Sequence, residues 1–138
     1  MTSFNDTIIE QFRANDGVLG DHWAGKTTLL LHTPGRKTGK VTVNPLVAAP
    51  HDGSYIVCGS AGGGPADPQW VANLEALDGP VTIELGTETL QAGHRVVRPG
   101  RDDDWEKLYG VWREYWPDAA TYETKTDRQF PVAVITVS

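Results

Sequence analysis

The sequence predicts an α+β chain of about six mostly antiparallel strands with peripheral helices, and three observations carry that prediction. Short apolar or alternating runs recur at Thr28–His32, Val41–Ala49, Tyr55–Gly59, Val81–Leu85, Thr89–Val97 and Phe130–Val137. They are joined mainly by hairpin-type turns, of which His51-Asp52-Gly53-Ser54 carries the Asp-Gly signal. Apolar residues at helical spacing fall in separate stretches outside those runs.

In chain order, residues 3–14 set Phe4, Ile8, Ile9 and Phe12 along one face, with Thr2 or Ser3 able to cap the start. That spacing predicts a short amphipathic helix packed on the core. Asn15-Asp16-Gly17 and Gly20 end it in a loop. Pro45, inside the second β run, marks an edge or a bulge. After the third strand, Asp67 can cap a helix with Pro68 at its first position, running from Gln69 to Leu77 with Trp70, Leu74 and Leu77 on one face. Val81–Leu85 alternates as a half-exposed strand, and Gly86-Thr87-Glu88 turns the chain back. The run Asp102-Asp103-Asp104 precedes a helical segment carrying Trp105, Leu108, Tyr109, Trp112, Tyr115 and Trp116. Acids at a helix start complement its dipole, so capping is favoured over a metal cluster. A second short helix follows Pro117.

At 138 residues the chain fits one domain with a real core. A formal charge of −6 gives a sequence-independent nucleic-acid role no electrostatic support. The single cysteine, Cys58, excludes an internal disulfide framework and any multi-cysteine zinc site, and its strand-like setting favours a small buried hydrophobe over a nucleophile. His22, His32, His51 and His94 lack metal-ligand spacing, so no metal is expected. No signal peptide or bilayer-spanning run is evident, and the cytoplasm is the expected location.

Two stretches remain unexplained by folding alone. Thr33-Pro34-Gly35-Arg36-Lys37-Thr38-Gly39-Lys40 joins two strands with two glycines and three cations. Its glycines can turn backbone N–H groups toward an oxyanion while Arg36, Lys37 and Lys40 supply charge, so it can hold a phosphate or carboxylate; a solvated hairpin tip is the plainer alternative. Gly59-Ser60-Ala61-Gly62-Gly63-Gly64-Pro65 is costly to order, which points either to close backbone approach by a flat or phosphorylated ligand or to a mobile lid. It has no dinucleotide-binding spacing. With no nucleophile elbow and little support for a paired acid and base, what remains is a site able to bind a ready-made reagent: a basic turn for its charged tail, a Gly-rich loop for close approach, and Trp70 with the C-terminal aromatics for a flat ring.

Leu29-Leu30-Leu31-His32-Thr33-Pro34-Gly35-Arg36-Lys37-Thr38-Gly39, Asn44-Pro45-Leu46, Gly59-Ser60-Ala61-Gly62-Gly63 and Pro68-Gln69-Trp70-Val71-Ala72-Asn73-Leu74, in that order, resemble the deazaflavin-dependent nitroreductase and quinone reductase family, which uses reduced coenzyme F-420. Asn15-Asp16-Gly17 and Thr126-Asp127-Arg128-Gln129-Phe130-Pro131-Val132 extend the resemblance toward both ends.

The resemblance implies one split β-barrel domain over residues 1–138, usually dimeric, so that a homodimer is an implied partner. It implies coenzyme F-420 with its phosphate and tail held by Arg36, Lys37, Thr38, Gly39 and Lys40. Ser60, Ala61, Gly62 and Gly63 are implied beside the deazaflavin, with Trp70 and Asn73 shaping that pocket. Ser60 and Tyr122 are the implied catalytic hydroxyls, and the implied reaction is hydride transfer to a quinone-like or nitroaromatic acceptor. Ala61 stands where many relatives carry lysine and Thr42 where arginine is common, which implies a less cationic tail site. Membrane contact is at most peripheral, at the inner face. The alternatives are an FMN-binding oxidoreductase of the same barrel and a non-catalytic module for a lipid or other apolar ligand.

Overall fold

The computed structural model describes residues 4–20 and 23–137, so the expected caps at Thr2 and Ser3, and His22, lie outside the described residues. Among the described residues seven strands form, β1 (Thr28–Pro34), β2 (Val41–Val47), β3 (Ala49–His51), β4 (Ser54–Cys58), β5 (Val81–Leu85), β6 (Glu88–Val97) and β7 (Val132–Val137), with helices α1 (Phe4–Ala14), α2 (Gln69–Ala76), α3 (Trp105–Tyr115) and α4 (Ala119–Glu123). The second β run divides in two because the chain changes partners there. Val47 pairs with Thr28 on β1, Ala48 donates its N–H to the Thr27 carbonyl at 2.9 Å, and Ala49 already pairs with Ile56 on β4.

That single residue shapes the sheet. The strand order is β2-β1-β5-β6-β7-β4-β3, every pair antiparallel, so β2 and β3 occupy opposite ends of the order. Only Ala48 separates them along the chain. The sheet must therefore curl until its ends meet, which is the split barrel.

The Leu29-Leu30-Leu31 run is fully buried because both faces of β1 are covered. Leu29 and Leu31 pack inside the barrel with Val57, Ile83, Ile135 and the α2 residues Trp70, Val71 and Leu74. Leu30 points the other way, into Ile8 and Phe12 of α1 and Leu19. On the far outer face, Leu108, Trp112 and Trp116 cover Ala49, Ile56, Cys58 and Val132 of β3, β4 and β7. Each fully buried aliphatic side chain contributes about 1.5–3 kcal/mol, so three apolar layers fix α1, α2 and α3 against the barrel.

The acidic caps expected for α2 and α3 give way to arginines. The chain enters α2 through Pro68, and Asp67 pairs instead with Arg128 and Arg98. Asp104 makes no side-chain cap bond on α3 and pairs with Arg95, while Asp102 accepts the Arg98 backbone N–H at 2.8 Å and pairs with Arg101. Asp67 and Asp104 take guanidinium partners from distant positions in place of helix N–H groups. Among the described residues no helix is long and apolar enough to cross a membrane, and no three His, Cys, Asp or Glu side chains cluster as a metal site would require.

Candidate active site

The basic turn between β1 and β2 is tightly built. Gly35 donates its N–H to the Lys40 carbonyl and Gly39 donates to the Gly35 carbonyl, each at 2.8 Å, with Gly39 at φ 74°. The Lys40 N–H is taken by the Thr38 Oγ1 at 3.2 Å. The glycine N–H groups are thus spent inside the turn. Those of Lys37 and Thr38 have no protein acceptor among the described residues.

Arg36 is exposed like the rest of the turn but is tied to a helix. Its backbone N–H and its Nη1 both donate to the Oδ1 of Asn73, at 3.1 and 2.7 Å. Asn73 lies on α2 and is 7% exposed. The contact makes an open groove of about 280 Å³ between the turn and α2, walled by Arg36, Lys37, Thr38 and Lys40 on one side and Gln69 and Asn73 on the other, with Thr42 of β2 along it.

A larger cavity of about 440 Å³ shares both supporting elements, using Asn44 to Val47 of β2 and Pro68 and Trp70 at the start of α2. Its remaining wall is mostly aromatic, from Trp23, Trp112, Trp116 and Tyr122, and Asn5 of α1 borders it. Ser60, Ala61 and Gly62 present the Gly-rich loop to this space. Cys58 also lines it, and burial pushes its thiol well up, which favours the neutral form.

Arg128 fixes that loop. Its guanidinium donates to the carbonyls of Gly59, Ser60 and Gly64 and to the Asp67 carboxylate, with the side chain 16% exposed. Held this way, Ala61 sits at φ 48°, a left-handed conformation costing a side-chain-bearing residue on the order of 1–2 kcal/mol. Gly63, at φ 87°, passes so close to α4 that a Cβ there would lie 2.8 Å from the Tyr122 carbonyl oxygen. The glycine lets α4 dock on the loop.

Two hydroxyls line the cavity. Ser60 is buried, and its side chain makes no cap bond in the short turn it starts. Tyr122 accepts a hydrogen bond from the Nε1 of Trp116 at 3.2 Å, and Trp116 packs on Trp23 with ring centroids 5.5 Å apart.

The structure therefore brings Ser60, Ala61, Gly62, Trp70 and Tyr122 to one cavity, and Arg36, Lys37, Thr38, Lys40 and Asn73 to the groove beside it. Gly39 and Gly63 line neither space and act on the backbone around them. Sequence reasoning missed Trp23 and Asn5, which come from elements remote in the chain, and the role of Arg128. A lone arginine among polar residues carries no signal of what it anchors.

Known proteins agree in one direction. A sequence profile described as F-420H(2)-dependent quinone reductase matches residues 6–137. An F-420H(2)-dependent quinone reductase of Mycobacterium tuberculosis is 32% identical over 127 residues, covering 91% of this chain and 84% of that protein. Among solved structures, an F-420-H(2)-dependent reductase is 31% identical with a TM-score of 0.64, covering 78% of this chain and 92% of its own. Another, described as a domain-swapped dimer, is 30% identical with a TM-score of 0.65, covering 96% and 99%.

Proposed function

The chain belongs to the F-420H(2)-dependent quinone reductase family, and from that premise we propose that its aromatic cavity and basic groove together hold reduced coenzyme F-420 for the reduction of a quinone or nitroaromatic acceptor. The observation that carries this reading is that the two spaces share β2 and α2 as walls. A cofactor with a flat ring and a polyanionic tail needs such a pair of adjoining sites. The donor set fits: three cations line the groove, and indoles and small loop residues line the cavity. When bound, reduced F-420 supplies a hydride.

The protein's own contribution is binding, orientation and exclusion of water. Arg36, Lys37, Thr38 and Lys40 hold the anionic tail through charge-assisted bonds. Trp70, Ala61 and Gly62 bound the ring site, and the apolar walls Trp23 and Trp112 keep it dry. Reduction of a quinone leaves developing negative charge on oxygen, which needs a hydrogen-bond donor at that atom. Ser60 and Tyr122 are the hydroxyls lining the cavity. Because the Tyr122 oxygen accepts from Trp116, its phenolic proton remains to be given.

A homodimer and a cytoplasmic location, with membrane contact at most peripheral, complete the proposal; the dimeric neighbour supports the first. The test is steady-state turnover of reduced F-420 with menadione or a nitroaromatic as acceptor. Oxidation of the deazaflavin far above the protein-free rate is expected. No acceleration with either acceptor would refute the assignment.

A further inference from the structure

Arg36 stands apart from the other arginines. Arg13, Arg95, Arg98, Arg101, Arg113 and Arg128 each meet at least one carboxylate. Among the described residues Arg36 meets none, and its guanidinium is held by the neutral amide oxygen of Asn73. That oxygen also takes the Arg36 backbone N–H, so one buried side chain fixes both the turn and the direction of its cation. A carboxylate could accept the same two bonds but would cancel the charge. An amide orients the guanidinium and leaves it positive.

We infer that Asn73 is a positioning residue that aims Arg36 into the groove without neutralising it, and so sets the preference for a cofactor with an anionic tail. This rests on the F-420 reading of the groove. It differs from the expectation that Asn73 shapes the ring pocket, because Asn73 lines the groove and not the aromatic cavity.

The isosteric change Asn73→Asp separates the two. It keeps the volume and the acceptor but places a carboxylate against Arg36. Affinity is measured by fluorescence titration with F-420 and with the same deazaflavin as its tail-less riboside. Asn73→Asp should weaken F-420 binding by roughly tenfold or more, as for loss of one charge-assisted phosphate contact, and leave the riboside within about twofold. Asn73→Ala should also weaken F-420 selectively, and should add no further loss in an Arg36→Ala background, since the two act as one unit. Thermal melting of each variant checks folding, and the alanine pair carries the test if the aspartate variant does not fold. Unchanged F-420 affinity in both single variants, or equal loss for F-420 and riboside, would overturn the inference. If the wild-type protein binds neither deazaflavin, the functional reading itself fails; if it binds both and only the Asn73 results disagree, the positioning role alone is lost.

Discussion

The indole Nε1 of Trp116 donates to the hydroxyl oxygen of Tyr122 at 3.2 Å, across the turn between α3 and α4. The bond uses the phenolic oxygen as acceptor and leaves its proton for a partner in the cavity. Packing is the competing role, since Tyr122 belongs to the aromatic layer over β3 and β4.

Tyr122→Phe distinguishes them. Removing the hydroxyl should lower turnover with menadione while F-420 affinity stays within about twofold, because catalytic donors typically act on the rate by two or more orders of magnitude and not on ground-state binding. Loss of the Trp116 bond should cost about 1 kcal/mol of stability, seen as a melting temperature a few degrees lower. Unaltered turnover would remove Tyr122 from the chemistry and leave Ser60 as the hydroxyl to test.

Arg128→Lys probes the anchoring of the Gly-rich loop. Lysine keeps the charge beside Asp67 but cannot reach the Gly59, Ser60 and Gly64 carbonyls together with a planar fork. Stability should fall by about 1–3 kcal/mol, read as a lower urea midpoint at unchanged m-value, and F-420 affinity should fall with it. Lower stability with wild-type affinity would confine Arg128 to the fold.

Glu84 offers a pH test of the seam between α1 and the barrel. Bonding first from Arg13 and then from His32 holds its carboxyl below the usual carboxylate range. A carboxyl depressed in the folded state adds stability that is full above its unfolded pKa and is lost as the pH falls through the folded value. The gap between wild type and Glu84→Gln in urea unfolding should therefore be present at pH 7 and close as the pH drops below about 4. Arg13 is 52% exposed, so solvent screening limits the gap to roughly 1 kcal/mol or less. A gap that persists into acid would contradict the ion-pair account.

The strands were legible because apolar runs and turn residues report local geometry, and the Asp52-Gly53 hairpin forms where its residues predict, with both at positive φ. The division at Ala48 was not legible, since Val41 to Ala49 reads as one run and the change of partner is decided by barrel closure. The helix caps failed for a similar reason. Asp67 and Asp104 have capping chemistry, but Arg128, Arg98 and Arg95 reach them from distant positions. The basic turn was readable from charge alone, whereas the Asn73 contact that organises Arg36 spans 37 residues of sequence and appears only with the fold.

A deazaflavin with a polyanionic tail is the cofactor that the cavity and groove are proposed to hold together. Fluorescence titration of the wild-type protein with F-420 and FMN in parallel, repeated with Arg36→Ala/Lys37→Ala, tests it most directly. F-420 should bind more tightly than FMN, and the double variant should lose roughly 1.5–3 kcal/mol for each charge-assisted bond removed. FMN binding equal to or stronger than F-420, or an unchanged F-420 affinity in the double variant, would contradict it.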